Sequence, residues 1–133
     1  MPDNSYQIAL QRRAAHVITE DLLDQASREG LPMLTWSIGD VGAQIAGVSY
    51  AHPSSKRRDE ITAWAKALNI ELSEHASDTA VTIMGIAKQA QTSFGFATIM
   101  LICDVYSDED QAAAADRSER HYAIPVAGGT VRP

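Results

Sequence analysis

Ser93-Phe94-Gly95-Phe96-Ala97-Thr98-Ile99-Met100-Leu101-Ile102-Cys103-Asp104-Val105-Tyr106 is the stretch on which the reading of this chain turns. On an extended backbone Phe96, Thr98, Met100 and Ile102 face one way and Ala97, Ile99, Leu101 and Cys103 the other. Both faces are apolar, which predicts a strand that is central or covered twice. The run Phe94 to Cys103 is about half the roughly 20 residues a membrane helix needs, so a buried strand is the reading.

Immediately upstream, Ala80 to Lys88 alternates with Val81, Ile83 and Ala87 on one side, and Gln89 to Thr92 is a polar link of hairpin length. These two strands are predicted to be antiparallel neighbours. A shorter strand is predicted at Ile70 to Ser73, followed by a loop over Glu74 to Asp78. Leu34, Trp36 and Ile38 alternate with Thr35 and Ser37, and Gly39-Asp40-Val41-Gly42 supplies a turn before Gln44 to Tyr50, which makes a second hairpin.

Two segments change to helical period. Asn4 to Glu29 lacks Gly and Pro, and Tyr6, Leu10, Ala14, Val17, Ile18 and Leu22 form one stripe, with Arg12, Arg13, His16 and Glu20 opposite. Asp3, Asn4 or Ser5 can cap this helix, and Gly30 followed by Pro32 ends it. Ser54 or Ser55 opens a second helix to about Leu68, after the break at His52-Pro53, with Ile61, Trp64, Ala65 and Leu68 as its buried stripe.

The order α-β-β-α-β-β-β predicts an α+β two-layer sandwich, a mostly antiparallel five-stranded sheet with two main helices on one face. Residues 1–106 form this single domain. Residues 107–133 read as an acidic, Ala-rich segment with a short helix over Asp108 to Arg120, then a mobile tail. Leu34-Thr35-Trp36 with the Gly-Val-Ser strand, and Ala63-Trp64-Ala65-Lys66-Ala67-Leu68, resemble small uncharacterised α+β proteins of actinobacteria and their phages. The resemblance spans residues 31 to 105 and implies no activity.

Of 133 residues, 45% are apolar, 21% charged and 6% aromatic, which fits one globular domain and excludes collagen, coiled coil and disulfide scaffold. Eleven basic against seventeen acidic residues give a net charge of -6, which disfavours nucleic acid and anionic membranes as partners. A single cysteine excludes an internal disulfide, and the Met1-Pro-Asp-Asn-Ser start lacks a secretory pattern, so a cytoplasmic location is expected.

No residue is assigned a catalytic, cofactor or metal role. His52, His75, Glu74 and Asp78 are metal-ligating types, but their spacing matches no established site, and a polar turn accounts for them. Cys103 and Asp104 are adjacent on a strand and so point to opposite faces, which rules out a catalytic pair. Gly39 to Gly42 lacks the Lys-Ser/Thr ending of a phosphate loop, and Gly128-Gly129 reads as flexible chain. Lys56-Arg57-Arg58 and Arg12-Arg13 would make a basic patch if the helices lay side by side. Trp36 and Trp64 fall on apolar phases and read as core.

The expected function is a non-catalytic interaction module that self-associates, most simply as a homodimer, because two helices on one face leave the other face of the sheet bare. The alternative is a small-molecule-binding protein or small enzyme with a pocket between sheet and helices, its polar lining drawn from Thr35, Gln44, Thr82 and Thr98.

Overall fold

The computed structural model describes residues 4–40 and 42–107. The first helix runs without a break as α1 (Ser5–His16), a π-helical stretch (Val17–Leu22) and α2 (Leu23–Glu29). It ends at Gly30, whose φ of 67° supplies the left-handed cap that closes the last turn. Strands β1 (Thr35–Ile38) and β2 (Gln44–Val48) form the first hairpin. Helix α3 (Ser55–Leu68) follows, capped by Asn69 at φ 57°. The chain then returns through β3 (Ser73–Ala76), β4 (Ala80–Thr92) and β5 (Gly95–Tyr106).

The five strands form one mixed sheet in the order β1-β2-β5-β4-β3. The β1/β2, β4/β5 and β3/β4 pairs are antiparallel, whereas β5 lies parallel to β2, with Gln44 opposite Thr98 and Val48 opposite Ile102. The expected α+β architecture with a mostly antiparallel sheet is therefore what the chain forms. The strand read as central is central, inserted last between two strands laid down before it.

The core lies between the helices and one sheet face. Ala14, Val17 and Leu22 from the first helix and Ile61, Trp64 and Ala65 from α3 meet Ile45, Ile83, Ala97, Ile99, Leu101 and Cys103. Trp64 is fully buried; its indole N–H donates to the Pro32 carbonyl at 2.7 Å, and its ring meets that of Trp36 edge-on at 5.1 Å. The Trp36 ring lies flat against Gly47, where a Cβ would come within 2.6 Å of it, so only glycine leaves room for the indole.

Three expectations need correction. The polar link Gln89–Thr92 is strand: β4 runs on to Thr92 through a bulge between Ala87 and Ala90, because a ladder needs backbone partners rather than apolar side chains. The strand expected at Ile70 to Ser73 starts at Ser73, and part of the expected Glu74–Asp78 loop is β3. Ile70 and Glu71 instead cross over Gly85, where a Cβ would fall 2.5 Å from the Glu71 carbonyl oxygen. Tyr6, placed in the buried stripe, is 75% exposed, since the start of α1 is held by Gln7 and Gln11 donating to the Asp40 carbonyl rather than by packing. The expected helix over Asp108 to Arg120 and the tail beyond it lie outside the described residues.

Trp64→Ala is expected to cost about 3–5 kcal/mol, a large share of the roughly 5–15 kcal/mol that holds a small domain together. Urea unfolding followed by circular dichroism measures it; an unchanged midpoint would contradict this placement of α3.

Candidate functional site

Cross-strand register fixes what the second sheet face presents, because laterally paired residues point the same way. One row reads Ser37, Ala46, Met100, Ile86 and the next Thr35, Val48, Ile102, Met84, Ser73. Polar rows bound these on both sides: Gln44 and Thr98 at one end, Asp104, Thr82 and His75 at the other. None of Met84, Ile86, Met100 or Ile102 belongs to the core packed under the helices. Exposure across these rows is uneven: Ile86 is 47% exposed, Met84, Met100 and Ile102 are half-buried, Ala46 and Val48 are buried, and Phe96, one position beyond the Gln44 row, is 55% exposed. No helix or strand among the described residues packs on this face.

Thr35, Gln44, Thr82 and Thr98, expected to line a pocket between sheet and helices, all lie on this opposite face. Alternation along β5 puts Thr98 with Met100, but which residues of the other strands share that face follows from the pairing, which sets Thr35, Gln44 and Thr82 there rather than with Leu101.

The other candidate groups disperse. His75 and Glu74 are neighbours on β3 and face opposite ways; Glu74 holds Arg58 at 2.6 Å, and among the described residues no group of three or more His, Cys, Asp or Glu could hold a metal ion. Cys103 is buried in the core, while Asp104 accepts the Thr82 hydroxyl at 2.6 Å from the other face. The basic patch does not form. Arg13 donates to the Phe96 carbonyl near the start of β5 and Arg57 to the Asp104 carbonyl near its end, about 26 Å away at 3.3 Å per residue.

Arg57 is the residue the sequence concealed. It is completely buried at the start of α3, its Nε donating to the Ala51 carbonyl at 2.8 Å and a terminal nitrogen to the Asp104 carbonyl at 3.2 Å, with its guanidinium 5.9 Å from the centre of the Tyr106 ring. Alongside it the buried Ser54 hydroxyl accepts the Tyr106 N–H at 2.9 Å, and Ser49 donates to Glu60 at 2.8 Å. These bonds pin the link between β2 and α3, which contains a cis His52–Pro53 peptide, to the end of β5. A signal existed: Arg57 precedes Ile61 by four residues and so extends the Ile61, Trp64, Leu68 stripe by one turn.

Arg57→Met keeps the stem but orphans two carbonyls, each worth about 1–3 kcal/mol when left unpaired in the interior. A loss of at least about 2 kcal/mol in urea unfolding is expected; wild-type stability would mean that water replaces the guanidinium there.

No protein-family model matches the chain, and no curated protein or solved structure matches it with statistical significance.

Proposed function

We propose that this chain is a non-catalytic interaction module that self-associates as a two-fold dimer through the open face of its sheet. The observation that carries this reading is the arrangement of that face: Met84, Ile86, Met100 and Ile102 at the centre, with polar rows on either side. An apolar centre inside a polar rim is the anatomy of a protein interface.

Size supports a second copy as the occupant. The five strands together hold 38 residues, of which β4 supplies 13 and β5 supplies 12, so at about 3.3 Å per residue and 4.8 Å between strands the sheet presents on the order of 600 Å² in projection. Side-chain relief raises this toward the roughly 800 Å² per partner of a standard interface. Pairing through a sheet edge is the poorer route. Both edge strands have only four residues, and those of β3 are all exposed, with His75 and Glu74 among them.

Light scattering on the full-length chain at micromolar concentration tests this. About twice 14.4 kDa is expected, and a mass near 14.4 kDa would overturn the reading, including the case in which Tyr122 to Val126, outside the described residues, occupies the face. Two single substitutions on adjacent residues separate interface from core. Met100→Asp should yield a folded monomer, whereas Ile99→Asp should unfold the chain, because Ile99 is 4% exposed beneath the helices. A folded dimer from Met100→Asp would place the contact elsewhere.

A further inference from the structure

Two backbone irregularities of the fold, one in the first helix and one in β4, border the same cleft. The π-helical stretch adds a residue to one helical turn and brings Val17, Asp21 and Leu22 to the cleft; the β4 bulge brings Ala87 and Ala90 from across it. The C-terminal end of α3 closes the third side with Leu68 and Asn69. The inner part is a half-open recess of about 320 Å³, within the range of small-molecule sites, whose mixed lining includes Ile70 and Ile99. Asp21, Gln25, Gln91 and Thr92 are shared with an outer, polar part of about 420 Å³, whose rim adds Glu20, Asp24, Arg28 and Ser93.

The charges at this mouth are unequal. Asp24 is paired with Arg28 at 2.8 Å, and Glu20 contacts His16 at 2.7 Å. Asp21 accepts the Ser93 N–H at 2.9 Å through one carboxylate oxygen and has no cation among the described residues. It stands where the apolar floor gives way to the polar rim. A ligand that satisfies both parts has an apolar body for the floor and a donor-rich positive head for Asp21, with the amide and hydroxyl oxygens of Gln25, Gln91 and Thr92 as further acceptors.

We infer that this cleft binds a small organic cation with an apolar body, an alkyl or aryl ammonium, independently of the open sheet face. The carboxylate supplies the charge complement, and the recess supplies burial for the hydrocarbon. The acidic rim draws cations to the mouth and repels anions of similar shape.

The test is a titration of uniformly ¹⁵N-labelled protein with n-hexylammonium chloride, with hexan-1-ol as the neutral isostere. Saturable amide shifts confined to Asp21, Gln25 and residues 90 to 93 are expected, with at least tenfold weaker binding of the alcohol. Asp21→Asn retains an acceptor for the Ser93 N–H and should weaken hexylammonium at least tenfold. Gln91→Lys, a change at an exposed position, places a cation in the mouth and should abolish binding even if Asp21→Asn proves unstable. Shifts that do not saturate, that centre on Met84 and Met100, or that survive Gln91→Lys would overturn the assignment.

Discussion

The parallel ladder joining Gln44–Val48 to residues 98–102 of β5 forces the chain to cross from one end of the sheet to the other between the two strands. Helix α3 makes that crossing, and the helix-covered layer follows from it. Once α3 lies against the sheet, Ile61 and Trp64 fix its depth, and the first helix fills the remaining width with Ala14, Val17 and Leu22. The crossing is anchored at its start by Arg57, whose guanidinium ties the Ala51 carbonyl after β2 to the Asp104 carbonyl on β5. A charged side chain is well suited to this place because its fan of donors reaches carbonyls on separate segments that no backbone ladder joins.

The same ladder explains why no helix among the described residues covers the second face. β5 spends both edges on β2 and β4, so it gains nothing from further strands, and both helices are drawn to the face that Ile99 and Leu101 present. Met100 and Ile102 are then apolar by sequence, half-buried, and without a helix over them among the described residues. The proposed self-association rests on a strand whose two faces are both apolar but unequally covered by the described helices.

Much of the layered fold was legible because it rests on local periodicity. The Leu34 to Ile38 alternation, the Ile61, Trp64, Ala65 stripe and the two-faced β5 each announce an element within a dozen residues. What stayed hidden depends on distant partners. The parallel pairing of β2 with β5 has no local signature, and without it Thr35 and Gln44 could not be assigned to the face of Thr98 and Met100. β3 is wholly exposed, so its strand rests on backbone bonds to β4 and leaves no apolar rhythm, while Ile70 and Leu72, which have that rhythm, pack across Gly85 instead. Arg57 reads as one of three consecutive cations until its position in the helical stripe is followed. The cleft was legible least of all, since a π-helical turn and a bulge are single-residue departures that residue type does not mark.

Methionine methyl groups offer the most direct measurement of whether a second copy covers the open face. Of the four methionines, Met84 and Met100 lie at its centre, while Met33 is 80% exposed in the link before β1. With methyl-labelled methionine and a soluble paramagnetic agent, the account predicts that Met84 and Met100 lose their relaxation enhancement as protein concentration rises through the dimerisation range, while Met33 keeps its own. Enhancement at Met84 and Met100 as strong as that of Met33 at a concentration where light scattering reports a dimer would contradict it.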